Sequence, residues 1–149
     1  MSMHPHAISF ECRGSRSRSL DFLILEEELA ITRLHADAPV PHRLLAATGF
    51  FSISRTSDEL SIACEARLAG GVGTADLGWR AIKLIGPFAF DQTGILCSCL
   101  VLLAQAGIGI LAISTFDTDY ILVKSSSLSA AVRSLEAAGH RRVDPSFQA

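Results

Sequence analysis

The side chains best able to do chemistry are cysteine and histidine, which ligate metals and serve as nucleophile or base. Cysteines stand at 12, 64, 97 and 99. Cys97 and Cys99 lie two apart inside a predicted helix, so their side chains diverge and suit neither a zinc knuckle nor a redox pair. Cys64, Cys97 and Cys99 are expected as small, reduced fillers of the core. The histidines are His4, His6, His35, His42 and His140. The first two precede any periodic apolar pattern, the others sit near predicted loops or element ends, and none adjoins a plausible nucleophile. There is no Gly-x-Ser-x-Gly, P-loop or His-Glu-x-x-His pattern. The glycine run Gly70-Gly71-Val72-Gly73 lacks the dinucleotide spacing. These absences predict a protein that is not an enzyme, with no catalytic residue, no metal and no cofactor.

The remaining polar residues that invite a role are short and oxygen-bearing. Asp91 or Thr93 can cap a helix running to about Ala106, since such side chains accept from free first-turn N–H groups. Asp117-Thr118-Asp119 reads as a hairpin turn, and Gly94 lets backbone approach a bound molecule without an intervening Cβ.

The elements around these residues follow from periodicity. Asp21 to Leu25 reads as a strand, Glu26-Glu27-Glu28 as an acidic turn, and Leu29 to Leu34 as the returning strand. Pro41 opens a short helix to about Ala47, which Gly49 stops. Phe50 to Thr56 and Leu60 to Cys64 flank the turn Ser57-Asp58-Glu59. Ala69 to Gly73 marks a loop between halves. Arg80 to Ile85 is a strand broken by Gly86-Pro87, and Trp79 at its start is read as packing. After the central helix and its stop at Gly107, Ile108 to Thr115 and Tyr120 to Val123 form a hairpin. Ser126 or Ser127 caps a last helix with Leu128, Val132 and Leu135 on one face, ending at Gly139.

Apolar residues are 49% of the 149 and charged ones 19%, which excludes a disordered chain and favours a large core or an interface. A net charge of −2 provides no basic field for nucleic acid. Thr93 to Phe116 carries no charge and is long enough to span a bilayer. The glycines at 107 and 109 and the β-branched run after them predict instead a buried helix followed by a buried strand, so no membrane is expected. The first residues, Met1 to His6, lack a basic start and an apolar run, and the expected location is the cytoplasm.

The halves repeat weakly. Ala30 to Leu34 resembles Ala81 to Ile85, and Ile53 to Thr56 resembles Ile113 to Phe116. Strand, helix, hairpin, helix is the order of a ferredoxin-like βαββαβ unit. The expected class is α+β: two tandem repeats with antiparallel sheets and helices on one face. The expected organisation is a flexible tail over 1–19, a first repeat with a short helix over 20–73, and a second repeat over 74–149.

The run Gly86-Pro87-Phe88-Ala89-Phe90-Asp91-Gln92-Thr93-Gly94-Ile95, with Ala112-Ile113-Ser114-Thr115-Phe116-Asp117-Thr118-Asp119-Tyr120 and Gly49 to Thr56, resembles a known family. About residues 20–140 are similar to small bacterial tandem ACT-domain proteins, and to the ACT repeats of the CASTOR-type arginine sensors of animals. The resemblance implies a non-catalytic regulatory module that binds an amino acid between paired repeats. It carries the site onto Phe90, Asp91, Gln92, Thr93, Gly94 and Ile95 at a helix start, and onto Ile113, Ser114, Thr115, Phe116 and Asp117 on the facing strand and turn. A zwitterion suits such a place: its carboxylate meets helix-start N–H groups, and its ammonium meets Asp117, Asp91 or strand carbonyls. The implied partners are a small-molecule ligand, a second copy of the chain in a homodimer, and a separate target protein. The alternative is a protein–protein interaction or oligomerisation module without a ligand.

Overall fold

The computed structural model describes residues 18–148. Cys12, His4, His6 and all but the last two residues of the expected tail lie outside the described residues. In chain order the elements are β1 (Asp21–Ile24), β2 (Leu29–Leu34), α1 (His42–Leu45), β3 (Ser52–Arg55), β4 (Leu60–Glu65), β5 (Thr74–Leu84), α2 (Ile95–Gln105), β6 (Ile110–Ser114), β7 (Asp119–Lys124), α3 (Leu128–Ala137) and β8 (Arg141–Arg142). Short 3-10 turns lie at Ala66–Leu68, Ser125–Ser127 and Pro145–Gln148.

The strands join in one connected sheet. Along β5, Trp79 has Leu29 of β2 on one side and Lys124 of β7 on the other. Further on, Ile82 has Ile24 of β1 on one side and Ile121 of β7 on the other. β7 therefore occupies one edge of β5, and β1 and β2 follow each other along the other edge. The expected hairpin of residues 21–34 is corrected by this pairing: β2 does not return against β1. Glu26-Glu27-Glu28 contains none of the Gly or Asn that a tight two-residue hairpin needs.

From β2 the sheet continues through β4 to β3. From β7 it continues to β6, and from β1 to β8. Every pairing is antiparallel except β1 with β8, which is parallel, a departure from the expected purely antiparallel arrangement. The sequence also placed the start of β5 six residues late. Between Leu29↔Trp79 and Ile31↔Asp76 the register shifts by one residue, and Gly78, at φ +75°, lies within that bulge. The break in alternation hid the strand. Lys124 holds the bulge from across the sheet: its Nζ donates to Asp76 at 2.6 Å and to the Leu77 carbonyl at 2.7 Å, and it lies 4.5 Å from the Trp79 ring centre.

Strand alternation then sorts the apolar side chains. Phe22, Ile24, Ile82, Leu84, Ile121 and Val123 join Cys99 and Leu103 of α2 and Ala131 and Leu135 of α3 in the main core. Ala30, Leu60, Ile62 and Cys64 meet Leu44 of α1 in a second core. The residues between them, Leu29, Ala63, Ala81 and Leu122, point the other way into a third cluster, which Phe50, Trp79, Ile113 and Tyr120 flank. Phe50 precedes β3 and Tyr120 is the second residue of β7, yet their ring centres are 4.7 Å apart. This third cluster thus lies on the helix-free face of the sheet, and the helices cover the other face.

Three expected caps are corrected. α2 begins after Gly94, at φ 81°, with no side-chain cap, so neither Asp91 nor Thr93 performs that role. α3 follows the 3-10 turn Ser125–Ser127, and its start has no side-chain cap either. α1 ends at Leu45, four residues before Gly49. The stops at Gly107 and Gly139 are in place, at φ 70° and 92°. Cys64 and Cys99 are buried as expected, whereas Cys97 is exposed. Cys97 and Cys99 diverge on the helix, and only Cys99 faces the sheet.

Candidate functional site

A loop and a turn distant in sequence meet at one end of the sheet. The loop leaves β5 after Leu84 and reaches α2, and the turn joins β6 to β7. The Phe88 amide donates to the Asp117 carbonyl at 2.8 Å. The buried Thr118 hydroxyl donates to the Leu84 carbonyl at 2.5 Å. Gly86 lies so close to the turn that a Cβ there would overlap the Asp117 carbonyl oxygen. Absence of a side chain at 86 is therefore what lets loop and turn touch. Inside the loop, the Gln92 side-chain oxygen accepts from the Ala89 amide at 3.0 Å, and the Gln92 amide donates to the Ala89 carbonyl at 2.9 Å. Thr115 closes the turn from its amide and its hydroxyl, both donating to the Thr118 carbonyl.

Between loop, helix start and turn lies an open cavity of about 310 Å³. Of the residues carried over from the family resemblance, Phe90, Gln92, Gly94, Ile95, Ser114, Thr115, Phe116 and Asp117 line it. Asp91, Thr93 and Ile113 do not. Ile113 is adjacent to Ser114 on β6, and period-two alternation turns it to the other face, into the third cluster. Asp91 and Thr93 are exposed beside the cavity. The sequence reading missed Phe88, Ala89, Leu96, Cys97, Thr118 and Asp119, which also line it. Helical spacing was the available signal for Cys97, three residues after Gly94, and cross-strand pairing for Asp119, opposite Ser114.

Chemically the cavity is mixed in character. The first-turn amides of α2 have no acceptor within the helix, and the helix dipole makes the helix start positive. The lining also includes Asp117 and Asp119, and the Ser114 hydroxyl donates to Asp119 at 2.5 Å. No lysine or arginine lines the cavity. Phe90 and Phe116, 81% and 79% exposed, meet edge to face with ring centres 5.4 Å apart and form an apolar rim. No histidine or lysine stands beside Ser114 or Cys97 in the cavity lining, and among the described residues no cluster of His, Cys, Asp or Glu could hold a metal. No helix of the described residues is long and apolar enough to cross a membrane.

The mixed sheet, with its few helices on the outside, defines a ferredoxin-like α+β fold of the ACT type. The ACT-domain family matches residues 74–137, and the family of a second, N-terminal domain matches residues 27–68. A protein of Agobacterium tumefaciens with a crystal structure is 42% identical; the match covers 85% of this chain and 93% of that one, with a TM-score of 0.77. This chain belongs to the same family as that protein. A Vibrio cholerae protein of unknown function is 17% identical over 83% of this chain and 93% of its own, with a TM-score of 0.67. The ligand-free regulatory subunit of Thermus thermophilus aspartate kinase is 11% identical over 76% and 94%, with a TM-score of 0.55. These last two share the fold. No curated protein matches the chain.

Proposed function

We propose that this chain is a non-catalytic regulatory protein that binds an amino acid in the cavity between the 88–97 segment and the 114–119 turn. The observation that carries the proposal is the polarity of that cavity. The helix-start amides beside it suit a carboxylate, and Asp117 and Asp119 in its lining suit an ammonium. With acidic groups and no basic side chain, the lining favours a ligand with a cationic side chain, so arginine and lysine come first among those to try. The Phe90–Phe116 rim would cover the ligand's carbon chain.

We read the chain as two ACT-type units over 20–73 and 74–149 that exchange strands across their boundary. The first part of β5, from the second unit, completes the sheet of β2, β4 and β3. The rest of β5, with β6 and β7, borrows β1 from the first unit. The companion proposals are reduced thiols in the cytoplasm, a homodimer, and a separate target protein whose activity the bound ligand would set.

Thermal melts against the twenty amino acids test the proposal. A ligand at a hundred times its dissociation constant adds about 2.7 kcal/mol of stability. The expected outcome is a rise in melting temperature with one or two amino acids that Asp117→Ala abolishes. No shift at millimolar concentration would sink it. One observation favours the second reading, an interaction module without a ligand: the outer side of α2 presents Leu96, Leu100, Val101 and Ala104 around an apolar groove. In that case amino acids leave the melt unchanged and the groove pairs with protein.

A further inference from the structure

A second pocket, on the helical side of the molecule, has the opposite electrical character. Three arginines from three elements converge on it: Arg80 of β5, Arg133 of α3 and Arg142 of β8, with Ser129 beside them. Its volume is about 360 Å³. Ile24 and Val132, 8% and 9% exposed, supply an apolar floor. No carboxylate lines it.

The pairing of neighbouring arginines sharpens the point. Arg141, next in sequence to Arg142, is held by both oxygens of Asp21, at 2.9 and 2.6 Å. Among the described residues neither Arg133 nor Arg142 has an acidic partner at ion-pair distance. The nearest relief for Arg142 is the field of Asp144, whose carboxylate already accepts from the Ser146 amide and hydroxyl. Arg80 donates from Nη2 to the Leu25 carbonyl at 2.9 Å, while its Nε is buried without a partner among the described residues. A buried, unbonded guanidinium N–H is costly and calls for an acceptor. Three like charges around one hollow repel one another until an anion enters.

We propose that this pocket is a binding site for a small organic oxyanion, a phosphate ester or a carboxylate, separate from the amino-acid cavity. Guanidinium groups match the planar pairs of acceptors on both anions. The apolar floor accommodates the carbon body, and the Ser129 hydroxyl is an additional donor.

The test is calorimetric titration of the full chain with phenyl phosphate and with benzoate, at matched ionic strength. The two probes share a ring and differ in the head group, so they separate the two sources of the anion. Saturable binding of either supports the site. Arg133→Gln and Arg142→Gln, both exposed positions, should each weaken it about tenfold, while thermal melts of the unliganded variants confirm that they fold. Asp117→Ala should leave it within about twofold. The proposal is overturned if neither probe gives saturable heat, if the Arg133/Arg142 double variant binds as the wild type does, or if Asp117→Ala abolishes binding.

Discussion

Gly86→Ala is the most direct probe of how the loop after β5 is held on the β6–β7 turn. A Cβ at this position would overlap the Asp117 carbonyl oxygen, with the Phe88 amide nitrogen at 3.0 Å and the Thr118 Cβ at 3.3 Å. Two of these three atoms are backbone, and the Thr118 hydroxyl ties the turn to Leu84. The loop must therefore lift away and lose the Phe88–Asp117 hydrogen bond. That bond is worth about 1 kcal/mol net, and overpacking adds about 1 to 3 kcal/mol. The sum, about 2 to 4 kcal/mol, corresponds to a fall in melting temperature of about 5 to 15 °C for a domain of this size. Circular-dichroism melts and urea midpoints measure it. Gly109→Ala is the control: nothing lies within 4 Å of its Cβ and its φ is not positive, so its effect should stay within about 0.5 kcal/mol. If Gly86→Ala melts with the wild type, loop and turn are not held by this contact and the cavity between them has no fixed shape. Under the proposed function, lifting the loop also weakens the amino acid's effect.

Three other expectations follow from single contacts. Burial lowers the pKa of His140 below 6.5, and its Nδ1 accepts from the Leu20 amide at 3.2 Å. Below about pH 6.5 the unfolded chain takes up the proton first. Urea midpoints should therefore fall between about pH 7.5 and about pH 5, and His140→Asn should flatten part of that slope; an unchanged slope refutes the assignment. Arg141 holds the Asp21 carboxyl below its ordinary 3.8. Arg141→Gln should be less stable than the wild type at neutral pH, and the gap should close as acid protonates Asp21; a gap that persists in strong acid points to another cause. In a Cys12→Ser background only exposed Cys97 should react quickly with a thiol reagent, since burial raises the Cys64 thiol and pushes Cys99 up to about 11. Cys97 lines the cavity between the loop after β5 and the β6–β7 turn, so under the proposed function its rate should drop when a ligand binds.

What the sequence made legible tracks the range of the interactions involved. Short apolar, β-branched runs bounded by turn residues, such as those of Leu29–Leu34 and Asp119–Lys124, can be read as strands from local pattern alone. So can the glycine stops at 107 and 139, because a left-handed residue after a helix needs no distant partner. The first part of β5 was missed because a bulge destroys period two. The partners of β1 were missed because pairing is a long-range choice: an acidic run between two apolar runs looks the same in a hairpin as in two strands laid end to end. The candidate site divides in the same way. The family pattern led to two segments that the fold brings together around one cavity, whereas which side chains face the cavity depended on strand phase at Ile113 and on Gly94, not Asp91, setting the start of α2.

β1 has a consequence in time. Asp21 and its partner Arg141 are 120 positions apart. At roughly 5 to 20 residues per second, synthesis leaves β1 without β8 for roughly 6 to 24 seconds. Through that interval Phe22, Leu23 and Ile24, all buried in the finished protein, have no completed core to enter. The first of the described strands is thus among the last to gain all its partners. Contacts so far apart in sequence are expected to form late, and until then the nascent chain depends on whatever shelters three apolar side chains.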